Sequence, residues 1–156
     1  MTNMVRRGYD LLKHLPGGKR LFSEAIGRAA PYSGTVGARV LDVRPGYARV
    51  MLRDRRAVRN HLQCVHAVAL VNLGEIASGL ATLYDLPADA RGILMEINAE
   101  YLKKARGQLI AEGRSPLLET LERTELISHA EIRDQRGELV TRVTAKWLIS
   151  VNANGR

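Results

Sequence analysis

Cysteine is almost missing from this sequence: Cys64 stands alone among 156 residues. One thiol cannot close an internal disulfide, and no Cys/His cluster has zinc-ligand spacing, so neither a disulfide framework nor a metal site is expected. Aromatic residues are scarce at 4%, with one Trp and one Phe, and none of them interleaves with basic residues as a base-stacking surface requires. No apolar run approaches the roughly 20 residues needed to cross a bilayer. The start of the chain carries early arginines but no apolar core followed by small residues. A cleaved signal peptide is therefore not expected, and a cytoplasmic location is. Repeats, low-complexity tracts and Pro/Gly/Ser-rich linkers are missing too, so one domain over residues 1–156 is the simplest organisation.

Positive charge is abundant. The formal net charge is +8, from 24 Lys and Arg against 16 Asp and Glu. Such a balance invites a nucleic-acid reading, but the basic residues are scattered. The densest group, Arg53, Arg55, Arg56 and Arg59, is interrupted by Asp54. A few arginines suffice for a small polyanion, so no nucleic-acid partner is expected.

Hydrophobic periodicity supplies the architecture. Leu11, Leu12 and Leu15 lie on one side of a short helix that Pro16-Gly17-Gly18 ends. Leu21, Phe22, Ala25, Ile26 and Ala29 continue at helical spacing up to Pro31. The period then drops to two. Val36, Ala38 and Val40, a turn at Arg44-Pro45-Gly46, then Ala48, Val50 and Leu52 predict a β-hairpin. From about His66 to Tyr84, apolar residues recur at intervals of three and four, which predicts a long apolar helix closed by Asp85-Leu86-Pro87. Four strands should follow. Ile93, Met95, Ile97, Ala99 and Tyr101 make one alternating face, a short strand runs near Gly107 to Ala111, and a longer one from about Leu121 to Arg133. Asp134-Gln135-Arg136-Gly137 then turns the chain into a last strand, on which Val143, Ala145, Trp147, Ile149 and Val151 share a face.

One long helix among about six strands must lie across an antiparallel sheet to bury its stripe, an α+β arrangement. Ala77, Ser78 and Gly79 are three small residues in succession on that helix. Glycine inside a helix costs about 1 kcal/mol relative to alanine, so this run predicts that another backbone comes close.

The segment Asn60-His61-Leu62-Gln63-Cys64-Val65-His66-Ala67-Val68-Ala69-Leu70-Val71-Asn72-Leu73-Gly74-Glu75 resembles the hotdog-fold thioesterases of the phenylacetate-degradation (PaaI-like) type. Those proteins carry an Asn, a His-Gly-Gly-Ala-Leu-like helix start, and an acidic residue about nine positions beyond the His. Gly92-Ile93-Leu94-Met95-Glu96-Ile97-Asn98-Ala99-Glu100-Tyr101-Leu102 resembles the strand that follows it in that family. The resemblance implies a hotdog core at 32–151, an antiparallel sheet wrapped around the central helix, preceded by an N-terminal helical extension at 1–31. It also implies acyl-CoA hydrolysis, with Glu75 as general base or nucleophile, Asn60 positioning water or substrate, the Ala67 N–H receiving the carbonyl oxygen, and His66 shaping the mouth of the site. Coenzyme A enters only as part of the substrate, with no resident cofactor. Lys103, Lys104 and Arg106, just past a strand end, offer charge for the CoA phosphates, or form a solvated turn.

Helix geometry adds a constraint of its own. His66 and Glu75 are nine residues apart, about 900° of rotation and about 13.5 Å of rise. They point to opposite sides, so one helix does not present both to one carbonyl. A two-fold assembly does, which predicts a homo-oligomer, dimer or tetramer, whose monomer lacks a complete site.

In two places the sequence differs from the resembling family. Ala67-Val68 stands where Gly-Gly is usual, and Ile93-Leu94-Met95 lacks the Ser or Thr often found at the start of the strand after the helix. A non-catalytic protein that binds an acyl-CoA or fatty-acyl ligand therefore stays open beside the thioesterase. Glu75 as an interface carboxylate paired with an arginine, and His66 as a plain helix-start residue, stay open as well.

Overall fold

The computed structural model describes residues 3–119 and 122–151, leaving aside the side chain of Val151. Three N-terminal helices, α1 (Met4–Leu12), α2 (Gly18–Ala29) and α3 (Pro31–Val36), precede a hairpin of β1 (Arg39–Arg44) and β2 (Tyr47–Leu52). A short 3-10 turn at Arg56–Val58 leads to the central helix α4 (Ala67–Leu83). Strands β3 (Ala90–Tyr101), β4 (Leu109–Arg114), β5 (Thr124–Arg133) and β6 (Leu139–Val151) complete the chain. All six strands join one antiparallel sheet in the order β1-β2-β4-β5-β6-β3. No helix among the described residues is long and apolar enough to cross a membrane.

Helix α4 lies across this sheet, packed on β2, β4 and β5. Leu70, Leu73, Ala77, Leu80 and Ala81 are buried against Val50, Leu52, Leu109, Ala111, Ala130, Ile132 and Val143 from the sheet. The small residues of α4 meet the close approaches their sequence predicts. A Cβ on Gly113 of β4 would fall 2.7 Å from the Ser78 nitrogen and closer still to the Ala77 carbonyl. A Cβ on Gly79 would sit 3.1 Å from the Trp147 ring. Because helix and strand touch backbone to backbone, the sheet can curl around α4.

The N-terminal helices cover what the sheet leaves open. Tyr9 of α1 packs edge-on against Phe22 and Tyr84, with ring centroids 5.2 and 6.2 Å away. The Asn3 side chain accepts from the Arg6 N–H at the start of α1. Its amide also donates to the Leu83 and Leu86 carbonyls at 2.8 and 2.6 Å, satisfying the frayed end of α4. Burial, reinforced by the Asp10 carboxylate that accepts from it, pushes the Tyr84 phenol up to about 12.

Three local expectations change. The buried face of α1 is Val5, Tyr9 and Leu12, whereas Leu11 and Leu15 are 74% and 53% exposed. Val36 ends a helix and does not begin a strand. Pro31 occupies the first turn of α3, where its missing N–H costs nothing, so it opens a helix as well as closing one. In β3 a bulge between Leu94 and Glu96 shifts the register on β6. One extra residue flips the alternation, so Gly92 and Leu94 face inward with Ile97 and Ala99 while Ile93 and Met95 are exposed. The fifth strand begins at Thr124; Leu121, expected near its start, lies outside the described residues, as does the Val151 side chain.

Candidate active site on the central helix

The loop before α4 is built on Asn60. Its carboxamide oxygen accepts from the Leu62 N–H at 2.9 Å and the Cys64 N–H at 3.4 Å, and the Cys64 thiol donates to it at 3.3 Å. An Asx turn of this kind replaces backbone pairing, and Gln63 takes the left-handed conformation that closes it. The Val65 N–H then donates to the Ala105 carbonyl and the His66 N–H to the Val58 carbonyl, at 2.9 and 2.8 Å. His66 is thereby fixed as the N-cap of α4, and its Nδ1 accepts from the Val68 N–H at 3.1 Å.

This capping leaves the Ala67 N–H with no acceptor among the described residues. An unpaired amide at the start of a 17-residue helix carries the positive end of the helix dipole and binds a developing negative oxygen well. Around it lie exposed apolar side chains: Val68, Tyr101 and Leu102 are each 50% exposed. The Tyr101 hydroxyl donates to the Ala67 carbonyl at 3.3 Å, which ties the end of β3 to the helix start. Asn60, His66 and Ala67 are therefore brought to one place. The carboxamide oxygen of Asn60 is spent on its own loop.

Glu75 sits elsewhere. Eight residues along the helix separate it from Ala67, about 12 Å at 1.5 Å per residue. Its half-buried carboxylate accepts from the Asn72 amide at 3.3 Å, and that amide also donates to the Ser33 hydroxyl at 2.9 Å. Asn72 is only 2% exposed, and its carboxamide oxygen has no partner among the described residues. Ser33 and Asn72 are thus site residues beyond those expected from the sequence. Asn72 carried a signal, as a polar side chain three positions before Glu75 on an apolar helix. Ser33 carried none, since its contact spans 39 positions.

The basic segment after β3 lies beside the helix start, held there by the Val65–Ala105 bond. Lys103, Lys104 and Arg106 line a groove of about 360 Å³ with Asp134 and Arg136. Lys103 is already committed to Asp134 and Glu138, whereas Lys104 and Arg106 are exposed and form no ion pair among the described residues. Asp54 fastens this region from the other side. It accepts from Arg59 Nε at 2.6 Å and from the Gly107 N–H at 2.9 Å. The Arg59 hydrogen bond holds its carboxyl below the usual carboxylate range; burial opposes it, and the Gly107 N–H adds a smaller lowering effect. A lowered carboxyl pKa contributes stability above the unfolded value that disappears as pH falls through the folded one. Asp54→Asn is therefore expected to cost about 1.5 kcal/mol at neutral pH, with the gap to wild type closing below about pH 4. Denaturant titrations at several pH values check this; a gap that persists in acid contradicts it.

Arg55 of that cluster also has a local duty. Arg55 Nη2 donates to the Thr35 and Val36 carbonyls at 2.8 and 3.0 Å, closing α3. Among the described residues no group of three or more His, Cys, Asp or Glu is placed to hold a metal.

One long helix seated in a curled six-stranded antiparallel sheet is the hotdog fold, and solved structures share it over nearly the whole chain. The protein designated APC5556, solved in a genomics programme, is 29% identical with a TM-score of 0.81, covering 95% of this chain and 99% of its own. A Pseudomonas aeruginosa protein of unknown function, PA5026, described as a probable thioesterase, is 22% identical with a TM-score of 0.76, covering 88% and 97%. The Haemophilus influenzae thioesterase HI1161 is 15% identical with a TM-score of 0.72, covering 85% and 93%. The chain belongs to the family described as a domain of unknown function, DUF4442, whose profile matches residues 18–149. A search of curated proteins finds no match.

Proposed function

We propose that this protein is an acyl-CoA thioesterase whose active site is shared between two subunits. The observation that carries the reading is the division of α4 into two half-sites. An unpaired Ala67 N–H lies at the helix start, and a carboxylate oriented by a buried amide lies more than two turns along. Two antiparallel copies of α4 set each Ala67 against the other's Glu75. Strand β3 supports such pairing. It ends the sheet, pairs with β6 alone among the described strands, and runs for 12 residues with Ile93, Met95 and Tyr101 exposed. A long unpaired edge is a template for a second strand.

In this arrangement Glu75 takes a proton from water as the water oxygen bonds to the thioester carbon. The carbonyl oxygen gathers negative charge against the Ala67 N–H and the dipole of α4. The carbon–sulfur bond then breaks, and the proton goes to the leaving CoA sulfur, giving a free acid and a thiol. Asn72 and Ser33 hold the carboxylate in one orientation. Asn60 and His66 shape the helix start where the carbonyl sits, and Lys104 and Arg106, with Lys103 behind them, face the CoA phosphates. Coenzyme A is part of the substrate, and no resident cofactor takes part.

Val68 favours a second reading, a hotdog protein that binds an acyl-CoA without turning it over. It stands half-exposed beside Ala67 where a smaller residue would leave more room. Thiol release from a panel of aliphatic and aromatic acyl-CoAs separates the two. The thioesterase releases thiol; the binder saturates with acyl-CoA and releases none.

A further inference from the structure

A second cavity lies on the far side of α3. It is a cleft of about 610 Å³ between α2, α3 and the start of β1, with Ile76 of α4 on its wall. That volume is in the range that holds small molecules, about 300–1,000 Å³. Its walls are firmly set. A Cβ on Gly34 would lie 2.6 Å from the Gly27 carbonyl oxygen, so α2 and α3 pack backbone to backbone. The Ser23 hydroxyl donates to the Lys19 carbonyl and accepts from the Val40 N–H at 2.9 Å, which locks β1 to α2.

The chemistry of the cleft is uneven. Ile26, Val40 and Ile76 supply apolar wall, and Arg20, Arg28 and Arg39 supply charge. Arg20 is paired with Glu24 at 3.0 Å, the one acidic residue in the lining. The guanidinium groups of Arg28 and Arg39 have no ion-pair or hydrogen-bond partner among the described residues. Ser33 also lines the cleft, and its hydroxyl is the acceptor of the Asn72 amide that reaches Glu75. The cleft thus comes within one hydrogen-bonded side chain of the carboxylate assigned as the base.

We propose that this cleft receives the acyl group, and that its two unpaired arginines select acyl chains that end in a carboxylate. The inference rests on the thioesterase reading and names its substrate class: thioesters of dicarboxylic acids, hydrolysed to a dicarboxylate and CoA. An apolar wall suits the methylene chain, and guanidinium groups pair with carboxylates through two parallel hydrogen bonds. The phosphates of CoA are anions too, but the reading above assigns them to the basic segment beside the start of α4, whereas the cleft meets α4 at Ile76, near its middle.

Adipoyl-CoA and hexanoyl-CoA have chains of equal length and differ in the terminal carboxylate. Their kcat/KM values are to be compared in the wild type and in an Arg28→Gln/Arg39→Gln variant, which should fold because Arg28 is exposed, Arg39 is half-buried, and neither side chain has a partner to lose. The wild type is expected to prefer adipoyl-CoA by at least about tenfold, because a site built to pair a charged group rejects the analogue that lacks it. In the variant the preference should fall to about twofold or less. Equal wild-type rates overturn the inference. So does a variant that loses both substrates in equal proportion, since its arginines then serve CoA phosphates. If the wild type releases no thiol from either substrate, the thioesterase reading has failed, and equilibrium titration with the same two thioesters decides the cleft. Adipoyl-CoA binding at least about tenfold tighter, with the difference lost in the variant, upholds the cleft; equal affinities overturn it.

Discussion

Gly113→Ala is expected to remove at least about 3 kcal/mol of stability. Overpacking a core ordinarily costs about 1–3 kcal/mol, because neighbouring side chains swing away. Here the new methyl meets the Ala77 carbonyl and the Ser78 nitrogen, both backbone atoms in the middle of α4. Neither can move without shifting the helix along the sheet. For a domain of this size the loss lowers the melting temperature by about 6–12 °C or more. Gly79→Ala is the informative comparison. Its methyl meets only the outer edge of the Trp147 ring, at 3.1 Å, which can give by a few tenths of an ångström, so a smaller drop is expected. Thermal melts of the two variants beside wild type check the order. If Gly113→Ala melts within about 2 °C of wild type, α4 is not seated on β4 at this point.

Glu75→Gln is expected to lower the rate of thiol release at least a hundredfold, about 2.7 kcal/mol of transition-state stabilisation, while stability and assembly stay as in the wild type. Glutamine keeps the shape and still offers an oxygen to the Asn72 amide, so the half-buried site remains satisfied. It has no basicity with which to take a proton from water. The loss is therefore chemical, and it should appear in kcat with little change in KM, the pattern of a group that acts only in the transition state. Turnover that survives the change removes Glu75 from the mechanism and leaves it as an orienting partner of Asn72.

The features of the fold most legible in the sequence were those with a long, uninterrupted period. The central helix announces itself by seventeen residues of near-continuous apolar spacing, and the run Ala77-Ser78-Gly79 foretells the backbone approach that Gly113 makes, beside which the Trp147 ring packs on Gly79. The turn at Asp134 to Gly137 was legible from residue type alone: Asp134 accepts from the Arg136 and Glu138 N–H groups, and Gly137 takes positive φ. Features that depend on a single position were not. The bulge in β3 inserts one residue without altering composition, so a strict alternation read through it places Ile93 and Met95 on the wrong face. Pro31 carries two meanings, stop and start, and only the packing of Gly34 on Gly27 decides for the second.

The candidate site shows the same division. Asn60, His66, Ala67 and Glu75 are visible because the sixteen-residue segment that holds them resembles the corresponding segment of the PaaI-like thioesterases. The resembling family often has a hydroxyl at the start of the strand after the helix, where this sequence has Ile93-Leu94-Met95. Ser33 of the N-terminal extension reaches the site by a contact that only the folded chain creates.

The most direct test of a shared site mixes two variants, each defective in a different half. Glu75→Gln removes the base. Ala67→Pro removes the N–H at the first helical position, where proline is well tolerated and where His66 already has the extended backbone that a following proline requires. Each variant alone should be nearly inactive toward acyl-CoA. Co-refolded in equal amounts, half the dimers are mixed, and each mixed dimer holds one intact site, so about a quarter of wild-type thiol release is expected. A mixture no more active than the sum of its parts contradicts the shared site, and with it the pairing of Ala67 in one subunit with Glu75 in the other.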